Sequence, residues 1–171
     1  MAKALLIDDD RHLLTALPAV FEIGPRPITV DTASSAERAL RLIQCTEYDV
    51  IVSDFSMPGL NGMDFLKECR IVRPHIPVIL LTGYGTDELE QEALKEGAYA
   101  LIQKPVDADV FLSVVTRAVI RRELRQAALV NPISIEAQLF AMENKRLSSR
   151  LRDIDDRLRR EIEDAEKDQS K

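Results

Sequence analysis

Five short apolar runs, spaced along the chain by stretches of helical periodicity, constrain the fold more than any other feature. They are Ala4 to Ile7, Ile28 to Val30, Val50 to Ser53, Val78 to Leu81 and Ala100 to Gln103. Short strands alternating with helices imply a parallel α/β sheet, because parallel neighbours need a crossover that covers a face of the sheet. In such sheets ligands bind outside the carboxyl ends of the strands. The residues that terminate the runs therefore matter most. They are Asp8, Asp9 and Asp10 after the first, Asp54 after the third, Thr82 after the fourth and Lys104-Pro105 after the fifth. The second run ends at Asp31, which is assigned a structural role only.

The spacing predicts strands over Lys3–Ile7, Ile28–Val30, Val50–Ser53, Pro77–Thr82 and Tyr99–Gln103. Helices are expected from Arg11 to Ile23 with Asp10 as N-cap, and from Ser34 or Ser35 to Gln44. Further helices are expected from Met63 to Arg73, from Thr86 to Glu96 ending at Gly97, and from Asp107 onward. Pro18 inside the first helix removes a hydrogen bond and predicts a kink. No glycine follows Gly97, so the last helix should continue to Val130, where Asn131-Pro132 ends it. This divides the chain into a domain over 1–125, a helix end and linker over 126–132, and a helical tail over 133–171. The tail is dense in charge, with nine basic and ten acidic residues. Phe140, Leu147, Leu151, Ile154 and Leu158 recur in it at coiled-coil spacing, with Asn144 at a core position and Glu161 ending the pattern. A helix with so narrow an apolar stripe is marginal alone, so a second copy or a helical partner is expected on it.

Composition narrows the function classes. A chain of 171 residues with 46% hydrophobic and 30% charged residues fits one soluble domain plus an appendage. No apolar run approaches a membrane span, and the N-terminus enters a strand without the pattern of a signal peptide. A cytoplasmic protein is expected, with Cys45 and Cys69 as reduced thiols. Its net charge of −6 argues against direct nucleic-acid binding and suits an acidic site that holds a cation. His12 and His75 are read as surface residues.

Three acids gathered at two strand ends repel one another unless a cation bridges them. No histidine or cysteine lies in the pattern, so oxygen ligands select magnesium, with manganese as a substitute. A lysine and a threonine hydroxyl on the same rim can pair with phosphoryl oxygens, and a carboxylate can act as nucleophile to form an acyl phosphate.

Four segments then resemble the receiver domain of two-component response regulators. They are Leu6 to Asp10, Asp54-Phe-Ser-Met-Pro-Gly59 with Gly62, Leu81-Thr82-Gly83, and Gly97-Ala98 leading to Lys104-Pro105. The resemblance covers residues 1 to about 125. It implies a flavodoxin-like five-stranded sheet of order 2-1-3-4-5 with helices on both faces. By position, Asp54 is implied as phosphoacceptor from a sensor histidine kinase or phosphotransfer protein. Asp9 is implied as a direct magnesium ligand, with Asp8 acting mostly through water. The Ser56 backbone carbonyl completes the metal set together with Asp54. Lys104 is implied as partner of the phosphoryl group or of resting Asp54, and Thr82 as the switch residue. A cis Lys104-Pro105 bond is also implied. Leu101 departs from the family, which often places an aromatic residue there.

The function expected is a stoichiometric phosphoacceptor with slow autodephosphorylation, not an enzyme. It would signal through self-association or partner binding without a DNA-binding output domain. Two alternatives compete. A phosphorylation-independent scaffold would use the same fold for binding only. A magnesium-dependent phosphatase of haloacid dehalogenase type would need an acid two residues after Asp54, where Ser56 stands.

Overall fold

A computed structural model describes residues 2–24 and 26–130. Residues 1–124 form one compact unit; in the second, 125–171, the described residues are the last ones of the fifth helix. The expected tail, 133–171, lies outside the described residues. The element order is β1 (Ala2–Ile7), α1 (Arg11–Glu22), β2 (Ile28–Ala33), α2 (Ala36–Cys45), β3 (Val50–Asp54), α3 (Gly62–Val72), β4 (Val78–Thr82), α4 (Asp87–Lys95), β5 (Ala100–Gln103) and α5 (Ala108–Val130).

The strands form one parallel sheet in the order β2-β1-β3-β4-β5, as the resemblance implied. Two cores follow from the alternation of side chains along the strands. Leu5, Ile7, Ile51, Val78 and Leu80 pack with Ala36, Ala39 and Ile43 of α2, Phe65 and Leu66 of α3, and Ala93 of α4. Ala4, Leu6, Val52, Ile79 and Leu81 pack on the other face with Phe21 of α1 and Phe111, Val115 and Val119 of α5. The central strands are buried throughout, as a sheet covered on both faces requires.

Local signals set the helix starts. Asp10 accepts from the His12 amide, Ser35 from Arg38 and Thr86 from Leu89. Asn61 accepts from the amides of both Met63 and Asp64, so α3 begins at Gly62, one residue before the sequence expectation. Gly97, with φ of +96°, ends α4 as expected. Pro18 lies within α1, and the helix continues past it to Glu22.

One strand departs from its sequence reading. β2 continues through Asp31 and Thr32 to Ala33 and pairs with β1 along its full length. Polar residues in an edge strand break the apolar run without breaking the hydrogen-bond ladder. Asp31 sits 2.8 Å from Lys3 Nζ and accepts from the Tyr48 hydroxyl at 2.8 Å. The hydrogen bond from Lys3, aided by that from Tyr48, holds the Asp31 carboxyl below its ordinary value of 3.8. Burial, together with Asp31, pushes the Tyr48 phenol up to about 12.

A carboxyl depressed in the folded state contributes stability above its unfolded pKa, and that contribution fades as pH falls through the folded value. Asp31→Asn should therefore lower unfolding free energy near neutral pH by on the order of 1 kcal/mol or less, given the exposure of the pair. The gap between wild type and variant should shrink once the pH drops below 3.8. Urea denaturation across a pH series checks this; a constant gap would rule out the ion pair as its source.

Candidate functional site

The register of the sheet brings the run-ending residues together. Ile7 pairs with Ser53, so Asp8 and Asp54 leave adjacent strands at the same level. Thr82 pairs with Gln103, so Lys104 follows immediately beside it, its amide donating to the Thr82 carbonyl at 2.7 Å. The Phe55 amide donates to the Leu81 carbonyl at 2.7 Å and carries the pairing one residue past Asp54. Four chain segments thus meet at one rim.

Carboxylate oxygens of Asp8, Asp9 and Asp54 lie within 4.8 Å of one another. Asp8 and Asp54 are 1% and 5% exposed, whereas Asp9 faces solvent, leaving the cluster open on one side. Lys104 Nζ stands 2.6 Å from Asp54 Oδ1 and 2.9 Å from Asp8 Oδ2. The remaining Asp8 oxygen accepts from the Asp10 amide at 2.8 Å, and Asp54 Oδ2 accepts from the Ser56 amide at 3.1 Å. Both buried carboxylates are therefore fixed in orientation through both oxygens.

The charges do not balance. Burial pushes the Asp8 carboxyl above its usual range and outweighs the Asp10 amide and Lys104. Burial also pulls Lys104 down, but hydrogen bonds to Asp54 and Asp8 prevail and its ammonium titrates above its ordinary value. The one ammonium in the cluster pairs with Asp8 and Asp54 and leaves Asp9 without a cationic partner there. The excess negative charge, the oxygen-only donor set and the open Asp9 side together fit a hard divalent cation such as magnesium.

Thr82 is 2% exposed, and its hydroxyl is engaged with the loop that follows. Its Oγ1 accepts from the Tyr84 amide and donates to the Tyr84 carbonyl, both at 3.2 Å. Leu101 is half-buried and lines a cavity of about 140 Å³ with Thr82, Gly85, Thr86, Asp87, Glu90 and Gln103. Space for a larger side chain remains at this departure from the family. The Lys104-Pro105 bond is cis.

Among the sequence-singled residues, Asp8, Asp9, Asp54 and Lys104 converge, and Ser56 joins them through its amide. Asp10 turns away to cap α1. His12 and His75 are exposed, as read from the sequence, and Cys69 is a buried free thiol that burial pushes up to about 11. Two contacts escaped sequence reasoning. Lys104 grips Asp8 as well as Asp54, across 96 positions of sequence. Glu37, at the start of α2, lies against the loop after β3. Neither has a local signature, because each joins segments that only the folded sheet brings together.

Known proteins are similar to this chain in sequence and fold. The profile of the response regulator receiver domain matches residues 4–116. The C4-dicarboxylate transport transcriptional regulatory protein DctD of Pseudomonas aeruginosa is 39% identical over 131 residues, covering 75% of this chain and 27% of that protein. Response regulator protein FleR of the same organism is 38% identical over 117 residues, covering 68% and 24%. The chain thus spans about a quarter of the length of these relatives. Among solved structures, a response regulator receiver domain protein from Clostridium thermocellum shares 38% identity at a TM-score of 0.67, covering 72% of this chain and 98% of that one. The receiver domain of the Francisella response regulator 1452 shares 33% at 0.66, covering 71% and 98%. With the sheet order, the acid cluster and the profile in agreement, this chain belongs to the response regulator receiver domain family of two-component systems.

Proposed function

We propose that the chain is a phosphorylation-controlled switch in which Asp54 accepts a phosphoryl group from a sensor histidine kinase or phosphotransfer protein. The observation that carries this reading is Lys104 Nζ at 2.6 Å from Asp54 and 2.9 Å from Asp8, inside a cluster of three carboxylates. Asp8, Asp9, Asp54 and the Ser56 carbonyl would hold the magnesium ion. Bound there, it supplies positive charge to the transferring phosphoryl oxygens.

A carboxylate oxygen of Asp54 attacks phosphorus as the phosphorus–nitrogen bond to the donor imidazole breaks, and the imidazole keeps the electron pair. Lys104 gives up its bond to Asp54 and pairs with a phosphoryl oxygen, still anchored by Asp8. Each chain takes up one phosphoryl group on Asp54, and slow attack by water on phosphorus later returns inorganic phosphate and the free carboxylate.

The Thr82 hydroxyl has one proton, now donated to the Tyr84 carbonyl. Donation to a phosphoryl oxygen ends that bond and frees the loop leading to Thr86, the cap of α4. A local charge thus becomes a change at the α4 surface. Residues 1–125 are proposed as the switch, with 126–132 as helix end and linker. Residues 133–171 are proposed as the helical segment through which self-association or partner choice responds. Among the described residues no helix is long and apolar enough to cross a membrane.

Treatment with a small-molecule phosphodonor and magnesium, followed by mass spectrometry, tests the reading. The expected product is a base-labile adduct at Asp54 that forms only with the divalent ion and is lost with chelator. An adduct that forms equally well in chelator would remove the metal from the account.

A further inference from the structure

The loop from Phe55 to Asn61 closes on itself at its neck. The Gly62 amide donates to the Phe55 carbonyl at 2.9 Å, the Ser56 amide donates to Asp54, and Asn61 caps α3. Its tip, residues 57–60, is held from outside the loop. Met57 is buried and Leu60 half-buried in the same core as Ala36, Ala39 and Leu40 of α2. Gly59 has φ of +79°, a conformation that side chains rarely adopt. A Cβ placed on Gly59 would lie 3.0 Å from Glu37 Oε1, and among the described residues beyond its chain neighbours the Glu37 carboxylate alone comes within 4 Å of that point. The same carboxyl is held below its usual range, first by its own amide and the Ser35 hydroxyl and further by the Leu60 amide. Glu37 thus reaches from the first turn of α2 to lie with its carboxylate against Gly59 at the loop tip.

We propose that Glu37 is a positioning residue for the divalent cation, fixing Gly59 and Leu60 and through them the loop conformation in which Ser56 offers its carbonyl to the ion. The inference rests on the magnesium site proposed above. Two residues, Met57 and Pro58, separate Ser56 from Gly59, and the neck is already closed. Glu37 therefore governs how well ordered that carbonyl is, without touching the ion or the phosphoryl group. Groups that orient a metal ligand commonly change affinity more than they change the chemistry at saturation. A second physical route must be separated from this one: Glu37 is also a negative charge, and its removal could weaken cation binding at long range.

Calorimetric magnesium titration of the full chain separates the two. Glu37→Ala should weaken magnesium binding by about tenfold, the low end for outer-shell partners. Its melting temperature and its phosphorylation rate at saturating magnesium should stay at wild-type values. Glu37→Gln is neutral but offers the Leu60 amide the same acceptor, so it should recover most of the affinity. Gly59→Ala, which forces the Glu37 carboxylate away, should reproduce the weakening.

Wild-type affinity in Glu37→Ala would overturn the positioning role while leaving the metal site standing. A Glu37→Gln variant as weak as Glu37→Ala, with the gap between both variants and wild type closing in high salt, would assign the effect to charge and overturn it too. Failure of the wild type to bind magnesium, or undiminished binding by Asp9→Asn, would overturn the metal site itself and this inference with it.

Discussion

Asp54→Asn should leave no base-labile phosphoryl adduct, with the rate of phosphoryl uptake falling by at least about a thousandfold because nothing replaces a lost nucleophile. The amide keeps the shape of the carboxylate and removes its charge. Neither neighbouring acid is placed as Asp54 is. Asp8 is 1% exposed, more deeply buried than Asp54 at 5%. Asp9 is exposed and lacks the lysine contact that Asp54 has.

Stability should change little. Lys104 retains Asp8 at 2.9 Å, and the loss of one ion pair is offset by relief of repulsion between two buried carboxylates. A thermal midpoint close to that of wild type, on the order of 1 kcal/mol or less of difference, shows that lost phosphorylation is not lost folding. The same variant settles the link to output. Beryllofluoride with magnesium, a phosphoryl mimic, should shift the molecular mass of wild type by light scattering and leave Asp54→Asn unmoved. An adduct that persists in Asp54→Asn at another residue would refute Asp54 as the acceptor.

The acids, the lysine and the threonine were legible because a parallel sheet places strand ends on one rim, and each lies directly at the end of an apolar run. Registers such as Ile7 with Ser53 are the physical content of that expectation. The extent of β2 was not legible. Asp31 is a poor strand former and Thr32, though a good one, is polar, so the apolar run stops before them; both pair with β1, and Asp31 is held further by Lys3 and Tyr48. Contacts to backbone acceptors were equally hidden. Arg73 donates through Nε to the Ile43 carbonyl at 2.9 Å and through Nη2 to the Gln44 carbonyl at 3.3 Å, bonding carbonyls at the end of α2. Arg70 donates to the carbonyls of Pro74, Ile76 and Gly97. A carbonyl is present at every residue, so no residue type marks which one an arginine will find. Glu37 escaped for a similar reason: its partners are a glycine and a main-chain amide.

Gly62 shows how tightly the site is built into the backbone, and Gly62→Ala should be among the most destabilising small substitutions in the domain. A Cβ at Gly62 would lie 2.4 Å from the Asp54 carbonyl oxygen, 2.8 Å from the Phe55 Cα and 3.1 Å from the Asp54 carbonyl carbon. All three are main-chain atoms and cannot turn aside as a flexible side chain could. Either the start of α3 must retreat, which strains the Gly62 amide bond to the Phe55 carbonyl, or the end of β3 must shift, which moves Asp54. Both ends are packed: Met63, Phe65 and Leu66 lie in the core that faces α2 and α3. Overpacking of this kind typically costs about 3 kcal/mol, so the melting temperature should fall by roughly 10 °C. Phosphorylation should slow even where the variant remains folded, because the displaced atoms include the carbonyl of the acceptor residue itself. Gly83→Ala is the control, since no heavy atom lies within 4 Å of a Cβ placed there. It should cost less than about 1 kcal/mol. Differential scanning calorimetry of the two variants, with phosphodonor kinetics well below the transition, separates them. Equal melting temperatures for Gly62→Ala and Gly83→Ala would show that β3 and α3 can part at no cost, and the close backbone packing argued for the acceptor strand would be wrong.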